Sequence, residues 1–166
     1  MKSKICPCLW FDGQAEEAAR FYTSVFKGSK ITDISYFPDE GQEIHGREAG
    51  SVMVVAFELD GQSFTALNGG PDFKFTEAVS FQINCETQDE VDYYWEKLGE
   101  GGDPTAQQCG WVGDKFGLSW QVVPSIMDKL TTDPDKAKSA RAFKAMLGMK
   151  KLDIAALQRA FDGERA

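Results

Sequence analysis

The chain has 166 residues, 42% of them hydrophobic and 27% charged, the make-up of a soluble globular protein of one ordinary domain or of two small modules sharing a core. With 18 Lys and Arg against 26 Asp and Glu, its net charge of −8 disfavours nucleic acid or an anionic membrane surface as partner. No apolar run approaches a signal-peptide core or the roughly 20 residues of a membrane span, so a cytoplasmic protein without membrane contact is expected.

The first strand is expected at Ile5–Phe11, bounded by Asp12-Gly13. It holds two of the four cysteines, Cys6 and Cys8; the others are Cys85 and Cys109. Their uneven spacing does not look like a secreted disulfide framework, so free thiols are expected. Two cysteines one residue apart could form a thiolate clip, a redox pair, or small apolar side chains on a strand.

A helix follows over Ala15–Phe26, where Ala15, Ala18, Ala19, Tyr22, Val25 and Phe26 recur at helical spacing and Gly28 ends the run. Lys30–Phe37 alternates as a strand, and a Gly-rich loop carrying His45 leads to strands at Val52–Leu59 and Ser63–Leu67. Asp60-Gly61 between them is a hairpin signal. His45, with no partner carboxylate or histidine evident, reads as a surface residue.

The second half runs in the same order: a strand at Val79–Cys85, a helix at Gln88–Leu98, a turn at Gly99–Asp103, and short strands near Thr105–Gln108, Gly110–Val112 and Leu118–Val123. Laying Phe11 on Asn84, an offset of 73, aligns Glu17 with Glu90, Ala18 with Val91, Phe21 with Tyr94 and Tyr22 with Trp95. Two copies of one supersecondary unit are implied. The expected organisation is a two-module domain over 1–124, with modules at about 1–76 and 77–124, and a helical extension over 125–166. In that extension Asp133-Pro134 reads as N-cap and first helical residue. Ala137, Ala140, Phe143, Ala145, Met146 and Leu147 would form an apolar face, and Asp153 would start a last helix with Ile154, Leu157 and Phe161 inward. Lys144, Lys150 and Lys151 read as a solvated face.

The segments LWFDGQAEEAARFYTSVF, DGQSFTALNGGPDFKFTEAVSFQINCETQDEVDYYWEKL, GWVGDKFGLSWQVVP and DPDKAKSARAFKAMLGMKKLDIAAL together resemble the PhnB-like group of the vicinal oxygen chelate superfamily. The resemblance covers nearly the whole chain. It implies an α+β fold in which paired βαβββ modules form a curled mixed sheet, a cup with helices outside, and it makes a homodimer expected. Members are often labelled demethylubiquinone methyltransferases. The residues lend that label no support, because no Gly-rich loop joins a first strand to a helix; LNGGP at Leu67–Pro71 reads as a turn at the pocket rim.

Metal-dependent relatives place inward ligands at positions that correspond to Pro7, Thr65, Ala78 and Gln121, and only Gln121 could donate conventionally. No metal and no cofactor are therefore expected. Taking Pro7 as inward, alternation adds Leu9 and Phe11, then Thr65 and Leu67, Ala78, Ser80 and Gln82, and Ser119, Gln121 and Val123. Asn68, Phe73, Phe75 and Trp111 would form a rim. Cys6, Cys8 and Trp10 would then point toward the outer helices, with the cysteines packed as small hydrophobes, and Asp114 and Lys115 would be turn residues. The resulting expectation is a PhnB-like protein holding a small organic molecule in the cup. Two alternatives stay open: an enzyme of the superfamily using Cys8, His45 or Gln121, and an interaction module acting through the helical tail.

Overall fold

The computed structural model describes residues 4–164 and divides after Lys74 into two compact units. The fold is mixed α+β, with a four-stranded sheet, a three-stranded sheet and six α-helices among the described residues.

The first unit contains β1 (Cys8–Phe11), α1 (Ala15–Val25), β2 (Lys30–Tyr36), the short α2 (Gln42–His45), β3 (Val52–Leu59) and β4 (Gln62–Asn68). Its strand order is β1-β4-β3-β2, with β1 parallel to β4 and the other pairs antiparallel. Asp60 and Gly61 close the β3–β4 hairpin with φ of 46° and 80°. A two-residue turn matched to strand twist needs both central residues at positive φ, which is why Asp-Gly suits it.

One face of this sheet is covered by α1. Ala15, Ala18, Ala19 and Tyr22 are fully buried there, and Tyr22 stacks on Phe57, which stacks on Phe64. Each large side chain so buried contributes roughly 1.5–3 kcal/mol. The helix begins without help from its own N-cap, since Gln14 makes no side-chain cap bond. Asn68 Oδ1, at the end of β4, instead accepts from the Ala15 backbone N–H at 2.9 Å, and its Nδ2 donates to the Val52 carbonyl at 2.9 Å. One amide thus satisfies an orphan helix donor and ties it to the sheet.

The register corrects the expected facing of β1. Leu9 pairs with Ala66 and Phe11 with Asn68, the face shared by Phe64 and Phe57, so Leu9 and Phe11 are core residues beneath α1. Cys8 pairs with Thr65 and Trp10 with Leu67 on the opposite face. The expected parity was anchored on Pro7, and an anchor wrong by one residue flips every side chain of a strand.

The second unit contains β5 (Ser80–Cys85), α3 (Gln88–Gly99), a 3-10 turn (Pro104–Ala106), β6 (Trp111–Gly113), β7 (Ser119–Pro124), α4 (Ile126–Thr132), α5 (Lys136–Leu147) and α6 (Ile154–Asp162). The sheet order is β5-β7-β6, with β5 and β7 parallel. α1 and α3 start at Ala15 and Gln88, the offset of 73 read from the sequence, and Ala18 and Val91 are both fully buried. A strand at Thr105–Gln108 does not form. Asp103 caps the 3-10 turn there by accepting from the Thr105 N–H, and Gln108 makes only an isolated bridge to Trp111.

The helical extension packs on its own unit. Met127, Leu130, Ala142, Leu152, Leu157 and Phe161 form its core. Cys109 and Gly110 donate to the Met149 and Lys150 carbonyls, both at 2.8 Å. Gln88 of α3 donates to the Leu152 carbonyl and accepts from the Ile154 N–H. Lys151 pairs with Asp92 at 2.6 Å and Lys150 donates to the Pro104 carbonyl, so two residues of the expected solvated cluster take part in docking. α4 was not expected. The cap of α5 is Asp135, which accepts from the Ala137 and Lys138 N–H groups, rather than Asp133. In α5 Ser139 and Ala142 face inward, whereas Phe143 and Leu147 are about half exposed.

Candidate functional site

The sheet faces opposite α1 and α3 and one cleft carry the chemistry available to the described residues, and at the end of the second face Val123 packs against the core of the helical extension. On the first unit, the face opposite α1 presents Cys8, Trp10, Thr65 and Leu67. Trp10 is held there by the Asn68-Gly69-Gly70 end of β4: its indole Nε1 donates to the Gly70 carbonyl at 2.7 Å, and Phe73 meets its ring edge-on at 4.9 Å. A Cβ at Gly69 would collide with the indole. The LNGGP stretch is therefore a seat for Trp10, which explains its adjacent glycines.

On the second unit, Gly99 of α3 packs against Val112, so Val112 and its register partner Trp120 face the helix. The other face carries Ser80, Gln82, Ser119, Gln121 and Trp111, with Gln82 beside Gln121 and Trp111 beside Gln121 in register. Gln121 Nε2 donates to Ser80 Oγ at 2.8 Å, and Gln82 Nε2 donates to Asn84 Oδ1 at 2.9 Å. Five residues expected to line a pocket thus share one face. Ala78 does not join them: it sits exposed in the turn before β5. Pro7 is half-buried just ahead of β1, its carbonyl accepting from the Thr65 N–H, and Asn68 is buried in its capping role.

The first unit also holds a cleft of about 400 Å³, lined among others by Gly13, Glu16, Phe37, Arg47, Ser51 and Val52. Arg47 Nη2 lies 3.5 Å from Asp12 Oδ1, and a side chain at Gly70 would strike the guanidinium. His45 braces the wall rather than standing on the surface. Its ring stacks on Phe37 at 4.9 Å, its Nδ1 accepts from the Arg47 N–H at 3.1 Å, and its Nε2 is buried without a partner among the described residues. The sequence reading missed this cleft because its lining comes from a loop without periodicity.

Thiols are in contrasting settings. All four cysteines are free; Cys6 and Cys8 are exposed, whereas Cys85 is buried. Burial pushes the Cys85 thiol up to about 11, with Glu90 and Glu86 adding like-charge repulsion. Among the described residues no group of three or more His, Cys, Asp or Glu side chains comes together to hold a metal ion. The side chains at the positions marked by the resemblance, including Cys8 in place of Pro7, do not make the His and carboxylate donor set that such sites use. No described helix is long and apolar enough to cross a membrane.

A family model described as 3-demethylubiquinone-9 3-methyltransferase matches residues 3–123. The chain belongs to this PhnB-like family. A solved structure from Bacillus cereus, described as a putative 3-demethylubiquinone-9 3-methyltransferase and PhnB protein, is 36% identical over 74% of this chain and 100% of its own, with a TM-score of 0.63. A protein structure from Pseudomonas aeruginosa shares the fold at 22% identity, covering 74% of this chain and 98% of its own, with a TM-score of 0.57. No curated protein matches the chain. The family match ends at residue 123, just before α4, so the helical extension lies outside it.

Proposed function

We propose that this PhnB-like protein has the paired-module vicinal oxygen chelate architecture implied by the resemblance, and that it binds a small, largely neutral organic molecule on the face of its second sheet opposite α3. Ligand binding on that face uses no metal, and the protein acts as a homodimer in the cytoplasm. The observation carrying this reading is the face formed by Ser80, Gln82, Ser119, Gln121 and Trp111. It combines amide and hydroxyl groups with one large aromatic surface, which suits a ligand having an apolar body and a few hydrogen-bonding groups.

The methyltransferase wording in the family description finds little chemistry to support it. β1 leads into α1 through Asp12-Gly13-Gln14, and β1 is parallel only to β4 in a mixed sheet. A nucleotide-like cofactor is ordinarily held by a Gly-rich loop at a doubly wound parallel sheet. A second reading, an enzyme of the superfamily, is favoured by one observation: Cys8 occupies the helix-free face beside Thr65, where a thiol could reach a bound molecule.

Purified protein should be screened by thermal shift against a library of neutral aromatic and aliphatic metabolites. A ligand at about 100 times its Kd stabilises by roughly 2.7 kcal/mol. The expected result is a hit whose shift is lost in Gln121→Ala and retained after chelator treatment. Binding of S-adenosylmethionine with methyl transfer to a demethylated quinol would sink the proposal. Product formation from the bound hit, abolished in Cys8→Ser, would establish the enzyme reading instead.

A further inference from the structure

We propose that Cys6 and Cys8 form a two-coordinate thiolate site for a soft, closed-shell cation of the Cu(I) type. In the sequence these thiols belonged to the helix side of β1, where they would be inert. The structure turns both outward. Cys8 pairs with Thr65 on the helix-free face, and Cys6, two residues earlier, places its Sγ 3.4 Å from the carbonyl oxygen of Ser63, two residues before Thr65. Both are exposed and free. The Thr65 N–H donates to the Pro7 carbonyl at 2.9 Å, so the spacer between the thiols is already fixed to the sheet edge.

The spacing selects among the chemistries that two thiols can perform. Cys6 lies ahead of β1, but the Thr65 N–H bond to the Pro7 carbonyl and the Cys6 Sγ contact with Ser63 O carry the pairing with β4 back to it, and residues two apart in chain extended this way have their Cα atoms roughly 6.6 Å apart. A disulfide needs Cβ atoms at about 3.5–4.5 Å, which this backbone does not supply. Two metal–sulfur bonds, each of the order of the 2.3 Å zinc–thiolate length, need sulfurs only about 4.6 Å apart when they lie in line. Rotation about χ1 brings the sulfurs inward over that difference. Pro7 limits the backbone freedom lost on closing the site, because its φ is set near −65°.

Ligand type points the same way. Two thiolates with no third His, Cys, Asp or Glu grouped with them among the described residues leave a four-coordinate zinc ion unsatisfied, whereas soft thiolates select Cu(I). Each thiol gives up its proton on binding, so one cation enters as two protons leave and the metallated site carries one negative charge. Affinity accordingly rises with pH.

The test is an anaerobic titration of the fully reduced chain with Cu(I), competed by bicinchoninate, with near-ultraviolet thiolate-to-copper absorption and Trp10 emission as readouts. The expected result is one copper per chain, quenching that is lost in Trp10→Phe, and at least a hundredfold weaker binding in Cys6→Ser and in Cys8→Ser. Cys85→Ser and Cys109→Ser should bind as the parent does, and circular dichroism should show the Cys6 and Cys8 variants folded. Copper bound equally well by either of those variants, one copper shared by two chains, or ready closure of a Cys6–Cys8 disulfide with diamide would each overturn the proposal. The ligand screen above is scored with metal removed, so failure of one reading leaves the other standing.

Discussion

Cys8 lies beside Thr65 in parallel register on the uncovered face of the first sheet, while Cys85 is sealed under α3 with Glu90 and Glu86 nearby. Reactivity should divide accordingly. With dithionitrobenzoate at pH 8, Cys6 and Cys8 are expected to react at once and Cys85 only after unfolding. Because the folded Cys85 thiol is raised from 9.0 to about 11, its proton stays bound in the fold where the unfolded chain would release it. That contribution to stability is fully present below pH 9 and is lost as pH rises through about 11. Immediate labelling of Cys85 in the folded protein would contradict this placement.

How far the sequence disclosed the molecule can be judged from β1. Its existence, the Asp60-Gly61 hairpin and the helix at Ala15 follow from local patterns that survive folding, because turn chemistry and amphipathic spacing are short-range. The facing of β1 does not, since Leu9 and Trp10 are both large and apolar, and alternation cannot say which meets α1. Pairing with Ala66 and Leu67 decides it. The same limit applies to Asn68, whose role is a cap delivered across 53 residues of chain. Ser80, Gln82, Ser119 and Gln121 were legible as one face because polar residues alternate with apolar ones on both strands. The cleft beside Arg47 was not, because a loop has no period.

Asn68 tests the long-range cap. Asn68→Ala removes the acceptor for Ala15 N–H and the donor to the Val52 carbonyl, leaving buried backbone groups unpaired at a cost of roughly 1–3 kcal/mol. Urea unfolding should show a lower midpoint with an unchanged slope. A change below about 0.5 kcal/mol would mean that water replaces the amide at no loss.

Gly69 makes a sharper demand on shape. Gly69→Ala places a methyl group where the Trp10 indole lies, so the ring must leave its bond to Gly70 O and its contact with Phe73. Trp10 emission, isolated by subtracting the spectrum of a Trp10→Phe variant because Trp95, Trp111 and Trp120 also emit, should move to longer wavelength. An unshifted spectrum would show that the loop backbone yields instead of the ring.

Asp114 opens the turn expected at this point, its carbonyl accepting from the Gly117 N–H at 2.9 Å, and its side chain is buried, with the residue 2% exposed. Its Oδ1 accepts from the Phe116 and Leu118 N–H groups and its Oδ2 from Trp120 Nε1 at 2.8 Å. Asp114→Ala leaves these buried donors unpaired and should cost about 3 kcal/mol or more. Loss of the Trp120 near-ultraviolet dichroism should accompany it, whereas Asp114→Asn, which retains an acceptor, should be milder. Equal effects of the two substitutions would place the cost in the charge rather than in the hydrogen bonds.

Gln88 reports on how the extension is fastened. Its side chain is bonded to Leu152 and Ile154 at the entrance to α6, while the neighbouring Lys151–Asp92 pair is exposed enough that salt screens it. Hydrogen bonding from Lys151 and Gln88 holds the Asp92 carboxyl below its ordinary range, so its contribution is present above the unfolded value of 3.8 and is lost as pH falls through the lower folded one. Gln88→Ala should therefore raise amide hydrogen exchange in α6 at pH 7 selectively, leaving α1 unchanged. Asp92→Asn should do so only weakly, and less still in high salt. The apolar core of Leu130, Leu152, Leu157 and Phe161 remains in both variants, which limits the effect to local opening. Exchange that rises equally in α1 and α6 would instead indicate that Gln88 supports the whole chain.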